Sequence, residues 1–318
     1  MSNQRFEERE LIGAGGFGKT YRAIDKCTGK KVAIKVESAN LKFKQLKHEY
    51  RTYKKLGPHP NLPKIHGFFE ESANCPATLS MELLDETLEE RFEACRRTFP
   101  LKLVIAIALQ LLQVIEHIHS HGVIHQDIKP ENILFDRKTG RRIRLVDLGL
   151  SASFLDPVTR QVVPLNITNR GLTGTDRFAG VNAHLGHNQA RRDDIESIGF
   201  IIIYLRHGRL PWQGLNTSSM RILGNRDASK KRSRAICDLK IEIPLEKLCS
   251  GLEPEILEYM RACRRLKYDE RPDYAAFQEF FRAIARRRGI PEFVHYSNST
   301  QAAASKTSAC LASSISIL

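Results

Sequence analysis

The sequence predicts an α+β chain in two parts: an N-terminal lobe with an antiparallel β-sheet and one helix, then a larger, mainly helical C-terminal lobe. Three observations predict it. Tyr21–Asp25 and Lys31–Val36 are short alternating segments on either side of a turn-like Lys26–Lys30, which is a hairpin signal. Helical spacing follows in the charged stretch Leu41–Leu56, where Leu46, Tyr50, Tyr53 and Leu56 recur on one face. Further on, Leu101–Ser120 and Ile195–Leu205 are apolar on nearly every face, as buried helices are. The boundaries fall at 1–83 for the first lobe, 84–294 for the second and 295–318 for a Ser/Ala/Thr-rich flexible tail that lacks core formers.

Arg5–Ile12 reads as a strand that enters Gly13-Ala14-Gly15-Gly16-Phe17-Gly18-Lys19-Thr20. Two templates fit this loop. Gly13, Gly15 and Gly18 match G-x-G-x-x-G, whereas Gly13, Gly18, Lys19 and Thr20 match the P-loop G-x-x-x-x-G-K-[ST]. A P-loop must open a helix whose N-terminal amides cradle phosphates, and a Rossmann loop has the same need. A hairpin follows instead, so both readings are disfavoured. In a hairpin, glycines let the backbone close over phosphates while the returning strand, Val32-Ala33-Ile34-Lys35, presents Lys35 beneath them. That ammonium needs a carboxylate to hold it. Glu49 is the best placed, and Glu37 and Glu10 compete with it.

Gly57-Pro58-His59-Pro60-Asn61 breaks the helix, and Leu62–Glu70 and Ala77–Leu84 then read as strands, the second ending in Met81-Glu82-Leu83-Leu84. Asp193-Asp194 supplies an N-cap for the Ile-rich helix and Gly208 a stop. Between the two apolar helices, Ser151–Gly186 is long, irregular and rich in Pro and Gly, the kind of loop that handles substrates. Leu215–Arg288 alternates helical patterns with a basic run, Lys230–Arg234, read as a solvated loop.

The chemistry concentrates in His125-Gln126-Asp127-Ile128-Lys129-Pro130-Glu131-Asn132 and, at the end of an apolar run, Asp147-Leu148-Gly149. A hydroxyl nucleophile needs a base to orient it and accept its proton, which Asp127 can be. Lys129 can offset charge on a migrating phosphoryl group, and Asn132 and Asp147 offer hard oxygens to magnesium. These residues fit H-R-D-L-x-x-x-N and D-F-G, with Gln126 in place of Arg and Leu148 in place of Phe. The joint placement, with the glycine loop and strand lysine upstream, carries the reading; any one match alone is an ordinary turn.

Composition bounds the partners. A net charge of +14 favours anionic ones: nucleotide phosphates, acidic or phosphorylated protein, or nucleic acid. Seven scattered cysteines without a C-x-x-C pair point to a reducing compartment and away from a zinc site. The longest apolar run, Ile198–Leu205, is too short to span a bilayer, and the polar Met1–Glu10 shows no signal peptide. No metal cluster and no membrane insertion are expected, and a monomer is.

Taken together these residues resemble a eukaryotic-type protein kinase and, more narrowly, the casein kinase 1 family, from about Phe6 to about Val294. The most specific stretches are Leu172-Thr173-Gly174-Thr175-Asp176-Arg177-Phe178, Asn182-Ala183-His184-Leu185-Gly186, Arg191-Arg192-Asp193-Asp194-Ile195-Glu196-Ser197-Ile198-Gly199 and Leu210-Pro211-Trp212-Gln213-Gly214-Leu215. Like that family, the chain lacks A-P-E and has Phe178-Ala179-Gly180-Val181-Asn182 there.

The resemblance implies a bilobal kinase fold and transfer of phosphate from ATP, with Mg2+, to Ser/Thr of acidic or already phosphorylated proteins. It implies Ile12, Gly13, Gly15 and Gly18 over the nucleotide, Lys35 held by Glu49, and Met81 at the back of the adenine pocket with Glu82 and Leu83 at the adenine edge. It assigns Asp127 and Lys129 to catalysis, Asn132 and Asp147 to the metal, and Thr175 to a contact with both Lys129 and Asp127. Arg177 matches a family residue that binds the upstream phosphate, and Arg232 matches another by alignment through a length difference. Gln126 makes activation by loop phosphorylation an unsuitable expectation. A pseudokinase acting as a scaffold is the alternative; the intact Lys35, Asp127, Asn132 and Asp147 weigh against it. Nucleic-acid binding through Lys230–Arg234 is disfavoured because no aromatic platform accompanies it. Cytoplasm and nucleus both remain open. Tail residues Ser297, Ser299, Thr300 and Ser305 are candidates for regulatory autophosphorylation.

Overall fold

In the computed structural model, residues 5–38, 44–72, 75–167, 172–215 and 225–291 are described. The predicted tail, 295–318, with its Ser and Thr candidates, lies outside them. The N-terminal part is a five-stranded antiparallel sheet: β1 (Phe6–Gly15), β2 (Gly18–Asp25), β3 (Lys30–Glu37), β4 (Ile65–Phe69) and β5 (Thr78–Glu82), in the order β1-β2-β3-β5-β4. Among the described residues one helix, α1 (Leu46–Leu56), joins β3 to β4. It begins five residues after the start expected from periodicity, and its final turn ends at Gly57, which takes a left-handed φ of 67°.

Strand alternation sets the chemistry of β3. Successive side chains point to opposite faces. Val32 and Ile34 pack in an outer cluster with Phe6 and Ala23, while Ala33 belongs to the main core with Leu46, Tyr53, Leu79 and Met81. Lys35 shares the parity of Ala33. It is thereby delivered to the inner face, opposite Leu79 in the register and toward α1.

The rest is mainly helical: α2 (Leu88–Ala94), α3 (Leu101–Ser120), α4 (Val181–His184), α5 (Arg191–His207), α6 (Asn225–Glu242), α7 (Leu245–Leu248), α8 (Pro254–Arg265) and α9 (Tyr274–Arg287). Two small ribbons pair β6 (Val123–Ile124) with β9 (Ala152–Ser153) and β7 (Ile133–Phe135) with β8 (Ile143–Leu145). Helix α2 buries Leu88 and Phe92, one turn apart. A reciprocal cap starts it, with Glu90 N–H donating to Thr87 Oγ1 and Thr87 N–H to Glu90 Oε2.

Helix α3 matches its expected span to the residue. It is long and apolar enough to cross a bilayer by length and composition, yet its apolar surface packs against α5 and α9. Helix α5 is buried from Asp193 to Leu205 and ends at Gly208, with φ of 79°.

Two expectations are corrected. Asp193-Asp194 do not cap α5, which starts at Arg191 after Ala190; Asp193 sits inside the first turn and its Oδ2 accepts the Ala190 N–H at 2.8 Å. The basic run Lys230–Arg234 lies in a helix, α6, rather than a loop. Its charge density masks the apolar positions Ile236 and Cys237 that bury the helix one turn later.

Helices α5 and α8 approach closely at Gly199. A Cβ there would overlap Met260 Sδ and come within 3.0 Å of Tyr259 Cε1, both on α8. Both partners are fully buried, so either must push into packed neighbours to make room. Gly199→Ala is expected to lower unfolding free energy by about 1–3 kcal/mol, read as an earlier midpoint in urea without a change of slope; an unaltered midpoint refutes this close packing.

Candidate active site

The glycine segment folds as a hairpin tip. Gly13 pairs with Thr20 and Gly15 with Gly18, across a turn at Gly16-Phe17. Lys19 and Thr20 lie in β2, so no helix follows the loop. Gly18 is required sterically, because a Cβ there would overlap the Val36 carbonyl oxygen on β3. Beneath this tip a small cavity, about 10 Å³, is lined by Phe17, Lys35, Gln45, Glu49 and Gly149. Ile12 is partly exposed at the edge of the sheet.

Lys35 Nζ donates to Glu49 Oε2 and to Asp147 Oδ1, each at 2.7 Å. The competing carboxylates are engaged elsewhere. Glu37 Oε1 accepts the backbone N–H groups of Gln45 at 2.6 Å and Leu46 at 2.9 Å, at the α1 N-terminus, where a negative charge suits the helix dipole. Glu10 pairs with Arg22 on the sheet surface at 2.9 Å. Burial alone would lower the Lys35 pKa, but Glu49 and then Asp147 more than offset it and hold the ammonium charged. Burial likewise opposes the Asp147 carboxylate, and the Lys35 charge outweighs it and lowers the pKa. Burial pushes Glu49 up.

The second cluster centres on Asp127. Lys129 Nζ donates to Asp127 Oδ2 at 2.6 Å and to Thr175 Oγ1 at 3.0 Å; Thr175 Oγ1 donates to Asp127 Oδ1 at 2.7 Å. Asn132 Nδ2 donates to the Asp127 carbonyl at 2.9 Å and to Oδ2 at 3.2 Å. The two clusters are stitched through the backbone: Val146 N–H donates to Asn132 O at 2.9 Å, and His125 Nε2 lies 3.2 Å from Val146 O. Asp147 itself takes a left-handed φ of 66°.

Asp194 is the residue that sequence reasoning mistook for a cap. Its Oδ2 accepts from His125 N–H at 2.8 Å and its Oδ1 from Gln126 N–H at 3.0 Å. Oδ2 also meets His119 Nε2 at 2.9 Å, and His119 Nδ1 meets Tyr274 OH at 2.7 Å. Thus α3, α5 and α9 jointly hold the loop that carries Asp127. Burial opposes the Asp194 charge, but His119 and His125 outweigh it and its pKa is lowered. A hint existed in the sequence: two adjacent acids before an apolar helix exceed what one cap requires.

Met81, paired with Ala33 near the end of β5, and Leu83, just past it, are buried. The Glu82 N–H donates to Lys64 O at 2.8 Å and its carboxylate faces Arg144 at 3.3 Å, so neither group points to a ligand. Arg177 lies 3.6 Å from Glu89 and 4.0 Å from Glu131, over the rings of Phe178 and Tyr204. Glu89 was not anticipated. Arg232 is exposed on α6, and no contact joins it to Arg177 among the described residues. Gln126 has a φ of 69°.

Asn132 spends its amide nitrogen on Asp127, and Lys35 takes Asp147 Oδ1. Among the described residues nothing bonds Asn132 Oδ1 or Asp147 Oδ2. Two hard oxygens without a third protein ligand suit Mg2+, which completes its shell with phosphates and water; no group of three or more His, Cys, Asp or Glu among the described residues could hold a metal alone.

Removing the Asp194 carboxylate strands two buried N–H groups and an imidazole. Asp194→Ala is expected to cost about 3–5 kcal/mol, measured by chemical denaturation. A loss below about 1 kcal/mol, the scale of one ordinary hydrogen bond, contradicts this anchoring role.

A family model described as the protein kinase domain matches residues 6–280. With the antiparallel sheet and the helical body around these clusters, that match makes this the bilobal α+β protein kinase fold, and the chain belongs to the protein kinase domain family, whose members transfer phosphate from ATP to proteins.

Proposed function

We propose that the protein is an active serine/threonine kinase that phosphorylates acidic or already phosphorylated proteins, as the casein kinase 1 family does. The observation that carries this reading is the Asp127–Lys129–Thr175 triad, a carboxylate with an ammonium on one oxygen and a hydroxyl on the other.

In this reading the acceptor hydroxyl lies against Asp127. Its oxygen forms the new bond to the γ-phosphorus as the bond from that phosphorus to the β,γ-bridging oxygen breaks. The hydroxyl proton passes to Asp127, and ADP leaves with the bonding pair. Lys129, already on Asp127 and Thr175, offsets charge on the moving phosphoryl oxygens. Lys35 meets the nucleotide phosphates, with Glu49 keeping it in place beneath Gly13, Gly15 and Gly18. Mg2+ held by Asn132 and Asp147 would neutralise phosphate charge. Met81 and Leu83 form the floor of the adenine site. Ile12 covers it.

The substrate preference is read from Arg177 and Arg232, since guanidinium forks suit phosphate and carboxylate. Arg177 is fixed by two aromatic faces and loosely countered by Glu89 and Glu131, at 3.6 and 4.0 Å. Neither distance is a hydrogen bond. A substrate phosphate, which can bond the fork directly, is expected to displace them.

Labelled-ATP transfer to an acidic peptide, with and without a phosphate upstream of the target, tests the reading. Transfer is expected to be stronger to the primed peptide. It should fall by about 10²–10⁴ in Asp127→Asn, and Lys35→Ala should be crippling where Lys19→Ala is mild. No transfer by the wild type would leave the scaffold reading; equal transfer by Asp127→Asn would remove the base assignment.

A further inference from the structure

Lys240 on α6 is 2% exposed, yet its ammonium makes no ion pair among the described residues. Lysine is almost never fully buried unless paired. In place of a carboxylate, Nζ donates to the carbonyls of Asp176 at 2.8 Å and Ala179 at 2.7 Å, and lies 3.1 Å from His184 Nε2. The rings of Phe200 and Trp212 flank it at 4.9 and 5.1 Å. Trp212 Nε1 in turn donates to the Arg177 carbonyl at 2.8 Å. Three carbonyls of the Asp176–Ala179 turn are therefore gripped from beneath. This turn follows Thr175, which sits on Asp127, and it carries Arg177.

His184 extends the grip. Its Nε2 faces both the Lys240 ammonium and, at 3.2 Å, the Asp176 carbonyl. Nε2 cannot donate to the carbonyl and accept from the ammonium at once; acceptance at the shorter ammonium contact puts the ring proton on Nδ1, 3.2 Å from Ser233 Oγ. Burial, reinforced by Lys240, pushes the His184 pKa to about 3, so the ring is neutral. Ser233 is the neighbour of Arg232.

We propose that Lys240 is the positioning residue of the substrate side of the cleft: it fixes the turn bearing Arg177 and, through His184 and Ser233, registers the Arg232 turn of α6 against it. The inference rests on the anion-selecting reading of that cleft and adds to it the device that sets the two arginines relative to each other.

Burial lowers the Lys240 pKa to about 7, opposed by Glu196 of α5, Asp176 of the turn and Cys237 of its own helix, and assisted by Arg264 of α8. His184 of α4 is uncharged. The ammonium is thus present below about pH 7 and lost above it.

Steady-state kinetics with ATP and with acidic and primed peptides, beside ¹⁵N shifts of His184, test the proposal. In Lys240→Met the KM for peptide is expected to rise about tenfold, as for loss of a charged hydrogen bond, with the KM for ATP nearly unchanged. Folding should be retained at some loss of stability, because Met keeps the packing against Phe200 and Trp212 and removes the desolvated charge while leaving the Asp176 and Ala179 carbonyls without their donor. Peptide KM should climb above pH 7 in the wild type and stay level in the variant. Ser233→Ala, at a half-exposed position that cannot unfold the core, should raise the primed-peptide KM about threefold. Unchanged peptide KM in both variants, or peptide and ATP KM rising together, overturns the proposal. A wild type indifferent to peptide charge removes the substrate reading instead; the Lys240 contact is then judged by the His184 tautomer. Nδ1 protonation that switches in Lys240→Met supports the contact, and an Nε2-protonated wild type refutes it.

Discussion

One ammonium shared by two carboxylates joins the parts of this molecule. Lys35 belongs to the sheet, Glu49 to α1 and Asp147 to the helical body, and both contacts are 2.7 Å. Only the Glu49 carboxylate is fully out of water, and a buried carboxylate needs an opposite charge, which Lys35 supplies. The value of the arrangement is geometric. Strand parity delivers Lys35 to the inner face, Glu37 anchors the start of α1 so that Glu49 meets it, and Asp147 closes the triangle. The Asn132 and Asp127 groups follow, because Val146 N–H bonds the Asn132 carbonyl.

The body has its own anchor in Asp194. Gln126 and Asp147, on the two segments that bear the polar groups, both take left-handed backbone conformations, at φ of 69° and 66°. Such conformations cost of order 1–3 kcal/mol each in non-glycine residues and persist where the surroundings over-determine them. Here the surroundings are a buried carboxylate on the Gln126 N–H and a half-buried ammonium on the Asp147 side chain. That explains why glutamine is compatible with position 126. The loop is held by its backbone amide, and the side chain that is arginine in the common template is not part of the hold.

Much of the fold and most of the polar cluster were legible from the chain alone, for local reasons. The β2–β3 hairpin, the ends of α3 and the Gly208 stop depend on residues close in sequence. Lys35, Glu49, Asp127, Asn132 and Asp147 carry chemistry that a solvent-facing role would not require together. What stayed hidden involves partners far apart. Asp194 reads as a cap until the fold brings His125 and Gln126 to it, and Glu89 is an ordinary first-turn acid until Arg177 arrives from 88 residues away. Lys230–Arg234 reads as loop because its charge outweighs the apolar face of α6, and Lys240, one charge among many, gives no sign of burial.

Whether Lys35, Asn132 and Asp147 serve one magnesium nucleotide is tested most directly by titrating a non-hydrolysable ATP analogue into the protein with and without Mg2+, for wild type and Asp147→Asn. Magnesium should tighten binding to the wild type and lose most of that effect in the variant. An equal gain in both would contradict a shared cleft.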